Sequence, residues 1–176
     1  MRCSLFSCCH FSSQGAPRTR AAGPPPTAPT STPPRGVWGV APGLVYVTEV
    51  SGYTVFQQSV GEYNDEFSAA YRTDQGATAF GLFVRRGTLT AQSCTEQPLG
   101  EVSDRQVTCE QDGDAWYRTA GDSHEYAVPA GGVVIHLIAD VDKVDRAILR
   151  KAAEAAHRPD AAELAALLPT TDGADV

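Results

Sequence analysis

The sequence predicts an α+β fold: an antiparallel sheet of about seven strands packed against C-terminal helices, behind a disordered Pro-rich N-terminus. Three observations carry this reading. Apolar-rich runs alternate with turn residues at intervals of roughly ten residues from position 44 to position 139. Strands come first and helices last, the order of an antiparallel meander with helices on one face. The last strand candidate, residues 133–139, leads directly into a stretch of helical periodicity.

Taken in order, residues 44–50 end at Ser51-Gly52 and residues 53–60 end at Gly61. Residues 66–72 alternate Phe67, Ala69 and Tyr71 against polar neighbours and stop at Asp74-Gln75-Gly76. Residues 77–86 carry Phe80, Leu82 and Val84 on one face and stop at Gly87. Residues 105–110 place Val107 and Cys109 on one side. Residues 115–119 follow the turn Asp112-Gly113-Asp114 and set Trp116 and Tyr117 on opposite faces.

Residues 123–128 and 133–139 flank Pro129-Ala130-Gly131-Gly132, a gap of hairpin length. The second of these runs, VVIHLIA, has six apolar residues in seven, the composition of a strand buried on both faces. Pairing Val128 with Val133 sets Tyr126 opposite Ile135 and His124 opposite Leu137 on one face, with Glu125 opposite His136 on the other. A one-residue slip would swap the faces.

Asp140 and Asp142 are good N-cap types, and Val141, Val144, Ile148, Ala152 and Ala155 make one helical stripe. Burying Val144 and Ile148 contributes about 1.5–3 kcal/mol each. Pro159 ends that helix. Asp160 with Glu163 has the form of a capping box for a second short helix, closed by Pro169.

One domain, residues 37–169, is expected between a tail at 1–36 and another at 170–176. Seven of the twelve prolines fall within residues 1–36, so this part reads as an extended spacer, a tether to a membrane or cell wall. Residues 1–37 carry four arginines and no acid, a net of +4; the remainder carries 10 basic and 21 acidic residues, a net of −11. An acidic folded part argues against a nucleic-acid surface. No run approaches the roughly 18 apolar residues of a membrane span. The first residues lack the apolar core of a standard signal peptide, although Leu5 to Cys8 faintly resembles a lipoprotein box. Cys3, Cys8, Cys9 and His10 match no zinc spacing.

Residues 87–104 make a long loop, and such loops call for a pin or a function. Cys94 and Cys109 are the only cysteines of the folded part. A disulfide between them supplies the pin and places the domain outside the cytoplasm, against the alternative of two reduced buried thiols. Closing about 15 residues stabilises by around 3 kcal/mol.

Chemical signatures are few. Asp112-Gly113-Asp114 lacks the further ligands of a calcium loop and reads as a turn. Neither a phosphate-binding glycine loop nor a nucleophile elbow occurs. His124, Glu125 and His136 are the one cluster of acid–base types, but the two histidines lie on opposite faces, so a Glu125–His136 pair that satisfies a partly buried imidazole is the expected role. Trp116 is a candidate ligand or partner contact with Glu125 and His136, or else is covered by the helix. No cofactor or metal is implied.

The run 109–119 (CEQDGDAWYRT), with His124-Glu125-Tyr126, residues 145–150 (DRAILR) and His157-Arg158-Pro159, resembles the extracytoplasmic part of uncharacterised actinobacterial membrane-associated proteins. The resemblance covers residues 38–169 and implies no activity. It implies a domain held outside the membrane by a Pro-rich spacer, though this chain shows no transmembrane segment ahead of its own.

The first expectation is therefore a non-enzymatic extracytoplasmic domain, membrane-associated or secreted, that senses or binds at the cell envelope. The second is a small-molecule-binding or hydrolytic domain with a pocket between sheet and helix, His136 and Glu125 inside it. The third is a purely structural module.

Overall fold

The computed structural model describes residues 39–100 and 105–168. The expected spacer at 1–36, with Cys3, Cys8, Cys9 and His10, the tail at 170–176 and the helix stop at Pro169 lie outside those residues.

Alternating burial and tight turns build one antiparallel sheet of seven strands: β1 Tyr53–Tyr63, β2 Glu66–Thr73, β3 Thr78–Arg86, β4 Thr108–Asp112, β5 Ala115–Ala120, β6 Ser123–Ala130 and β7 Val133–Asp140. Their spatial order is β1-β2-β3-β7-β6-β5-β4. This is two meanders, not one. After β3 the chain crosses to the far edge and returns through four strands, so that β7 closes antiparallel against β3. The central place of β7 follows from its composition, since only an inner strand covered on both faces can bury Val133, Val134, Ile135, His136 and Leu137 in succession.

The β6–β7 register differs from the expected one by two residues. Ala130 pairs with Val133 and Glu125 with Ile138, so His136 stands opposite Ala127. Gly131 and Gly132, at φ 56° and 86°, form a two-residue turn that glycine adopts without steric cost, and β6 therefore continues through Pro129 and Ala130. A shift of two preserves the faces. At the β1–β2 corner, Asn64 and Asp65 make the same kind of turn, so β1 runs on past Gly61 to Tyr63. A bulge between Phe56 and Gly61 absorbs the added length, and the Ser59 hydroxyl fills it by donating to the Phe56 carbonyl and accepting from the Ala70 N–H.

Residues 44–50 are not a strand. A 3-10 turn at Pro42–Leu44 leads into extended chain in which Val45, Tyr46, Val47 and Thr48 are all buried. Consecutive burial replaces alternation because the segment is covered from more than one side. Val47 exchanges two backbone hydrogen bonds with His157, Thr48 donates its N–H to the Tyr71 hydroxyl on β2, and the Thr48 hydroxyl donates to the Ala152 carbonyl.

The first helix, α1 (Arg146–Glu154), begins later than the periodicity suggests. Its N-cap is Asp145, whose carboxylate accepts the Ile148 N–H, while residues 140–144 form a turn and Val141 is exposed. The buried stripe is accordingly Leu149, Ala152 and Ala153, with Val144 ahead of it and Ile148 half-buried. The second, α2 (Ala161–Leu167), has the expected capping box: Asp160 accepts from the N–H groups of Ala162 and Glu163, and Glu163 accepts from that of Asp160. Both helices lie on one face of the sheet over Phe67, Tyr71, Phe80, Leu82, Ile135 and Leu137.

The opposite face is covered by the crossover. Cys94 and Cys109 form the expected disulfide, closing 15 residues with Cα atoms 6.2 Å apart. Leu89 and Cys94 pack on Ala127, Val134 and Trp116, and Leu99 and Val107 pack on Ala120 and Ile138. No helix among the described residues is long and apolar enough to cross a membrane.

Candidate ligand-binding site

Strand alternation sends Trp116, Arg118, Glu125 and His136 to the crossover face. Glu125 and His136 come together as expected, with His136 Nδ1 3.2 Å from Glu125 Oε1. Arg118, directly across the β5–β6 ladder from Glu125, joins them: its Nη1 donates to the same oxygen at 2.5 Å, and its Nη2 donates to the Gln97 carbonyl of the crossover. All three side chains are buried. Burial alone would raise the Glu125 carboxyl, but the His136 hydrogen bond and the charges of His136 and Arg118 outweigh it and hold the group below its ordinary range. Arg118 was legible in principle. The turn Gly121-Asp122 pairs Ala120 with Ser123 and so sets residue 118 opposite residue 125.

This network is closed to solvent and holds the crossover to the sheet. It is not in a pocket between sheet and helix, so the expectation of His136 and Glu125 inside such a pocket is overturned by their face. The other site residue, Trp116, is half-buried, and its cover is the crossover rather than the helix.

On the helix face, side chains of β4, β5, β6 and α1 meet one another. Arg146 donates to both oxygens of Glu110, to Asp112 and to the Tyr126 hydroxyl, and its guanidinium lies 3.9 Å from the centre of the Tyr117 ring. Arg150 pairs with Asp112 and Glu154. The Tyr126 hydroxyl bond and these arginines hold the Asp112 carboxyl below its usual range, which occupies the Asp112-Gly113-Asp114 turn with cations of the protein itself. These contacts seat the start of α1 on β4, β5 and β6. Beside them His124 is buried, its Nδ1 3.1 Å from the Tyr117 hydroxyl, and desolvation lowers its pKa.

An opening lies at the other end of the helical face. Once Val47 and Thr48 are pinned, the chain turns at residues 50–53, with Gly52 at φ 84° and the Tyr53 N–H on the Val50 carbonyl. α2 faces this turn, fixed by its capping box and by the bond from Gln57 to the Ala166 carbonyl. A cleft of about 590 Å3 remains, lined by residues 47–53, Val55, Tyr71, Glu163, Ala166 and Leu167. Behind its wall, Phe80 stacks on Tyr71 with ring centres 4.8 Å apart and lies 5.6 Å from Tyr53, so the aromatic wall is packed from behind. Sequence reading missed this site because its walls come from segments more than 100 residues apart.

Among the described residues, no group of three or more His, Cys, Asp or Glu side chains is placed to hold a metal ion. Neither a family model nor a curated protein or solved structure matches the chain.

Proposed function

We propose that this is a non-enzymatic binding domain of an oxidising, extracytoplasmic space, and that its ligand enters the cleft between the 47–53 segment and α2. The cleft carries the proposal: its volume lies in the range of small-molecule sites, and apolar and aromatic walls with a few polar groups are the lining such sites use. The compartment rests on the buried disulfide. Residues 1–36 would then act as the tether to membrane or wall.

Ala166 is exposed and lines the cleft, so Ala166→Trp fills it with little expected cost to the core. Small-molecule hits found by ligand-observed NMR on the native chain should lose binding to Ala166→Trp. Hits that bind both proteins equally would remove the cleft from the proposal. The compartment has its own test: thiol titration of protein isolated from its own cells without reductant should find Cys94 and Cys109 blocked, and free thiols at both would return the domain to a reducing space.

A further inference from the structure

We infer that the cleft selects a small organic cation, an amine or quaternary ammonium group on an apolar body. This rests on the ligand-binding reading above and narrows its ligand class. Among the described residues two carboxylates, Glu49 and Glu163, line the cleft, and no lysine or arginine does. Tyr53, half-buried, and the buried Tyr71 line it too, and the face of a tyrosine ring such as that of Tyr53 carries the negative part of the aromatic quadrupole, which attracts cations. Val47, Val50, Val55, Ala166 and Leu167 supply apolar surface for the rest of the ligand.

Other ligand classes fit less well. An anion would meet like charge, and a neutral molecule would strip water from the carboxylates without replacing its interactions. Glu163 shares its charge with His157, whose Nε2 lies 2.8 Å away; Glu49 lies in the field of the same imidazole but forms no salt bridge among the described residues, so two carboxylates stand against one imidazole. The potential at the wall is therefore negative. Both carboxylates act on Tyr71: burial raises its phenol first, the hydrogen bond from the Thr48 N–H opposes this, and the charges of Glu163 and Glu49 add to the rise. The surroundings do not reverse the sign, since residues 38–176 carry 10 basic and 21 acidic side chains, a net of −11.

The test uses the isotope-labelled full chain and three probes of one shape: benzyltrimethylammonium, benzyl alcohol and benzoate. The cation should shift the Ser51, Gly52 and Tyr53 amides saturably, bind about ten-fold more tightly than the alcohol, and weaken as salt is added. Glu49→Gln, at an exposed position, should weaken the cation several-fold and leave both the alcohol and the thermal midpoint unchanged. Equal or tighter binding of alcohol or benzoate at those amides, or cation binding indifferent to Glu49→Gln, would overturn the cation class and leave the cleft as a site. If none of the three probes moves those amides, the cation class and the cleft fall together.

Discussion

His136 Nδ1 lies 3.2 Å from Glu125 Oε1, the same oxygen that receives Arg118, and all three groups are buried under the disulfide-closed crossover. The relationship couples two layers. Arg118 reaches the Gln97 carbonyl, so a carboxylate inside the sheet positions the chain that covers it. The network is only partly satisfied: Glu125 Oε2, His136 Nε2 and Arg118 Nε make no hydrogen bond among the described residues. A buried ion pair adds little net stability over an apolar replacement, yet loss of one partner leaves an uncompensated buried charge.

Removing the anion alone should therefore be costly. Glu125→Gln leaves Arg118 buried without its counter-charge, and urea unfolding should show a loss of about 3–5 kcal/mol. Replacing the set together, as R118M/E125L/H136L, should recover most of that loss. A single variant as stable as the native chain would show that the pair is not desolvated in solution.

Acid should destabilise the domain in two stages. His124 has a depressed pKa from burial, so its contribution is complete above its unfolded value near 6.5 and declines as pH falls through the lower folded value. Glu125 is depressed as well, and its contribution begins to decline only below its unfolded value near 4.5. Urea midpoints measured from pH 7.5 to pH 3.5 should fall in both windows, and His124→Gln should flatten the upper one alone.

Opening the disulfide should loosen one face and spare the other. The double variant C94A/C109A should lose about 3 kcal/mol. In a Trp38→Phe background, Trp116 emission should shift to the red as Leu89 and residue 94 leave it. Amide exchange should rise over residues 87–100 but not in α1. An unshifted Trp116 spectrum would mean that the apolar contacts hold the crossover without the bridge.

The second helix depends on its cap. Asp160→Ala frees the N–H groups of Ala162 and Glu163 and should cost about 1 kcal/mol in thermal or urea unfolding. Because α2 forms one wall of the cleft, the same variant should weaken any cleft ligand, whereas Asp145→Ala, which uncaps α1, should lower stability and leave that affinity nearer to native.

Much of the fold was legible from local pattern. Phe80, Leu82 and Val84 marked the inner face of β3 by alternation, and Asp160 with Glu163 marked the start of α2 by spacing. Of the site, the Glu125–His136 pair could be read and the cleft could not. The errors also have local causes. Val141 continued the helical stripe by coincidence of spacing, while the carboxylate that meets a free helix N–H is that of Asp145. Residues 44–50 had the composition of a strand, yet their hydrogen bonds go to Tyr71, Ala152 and His157, partners that no local pattern names.

By itself, the sequence marked the seven strands from residue 53 onward, the inner faces of those strands and Cys94 with Cys109 as the pair to expect, because these follow from period, turn geometry and the cysteines of the folded part. The tertiary structure alone decided that the crossover covers Trp116, that the Gln97 carbonyl meets Arg118, and that Tyr71 and Glu163 share a cleft. Those arrangements depend on contacts between distant segments, and their energies are set by which surfaces exclude water together.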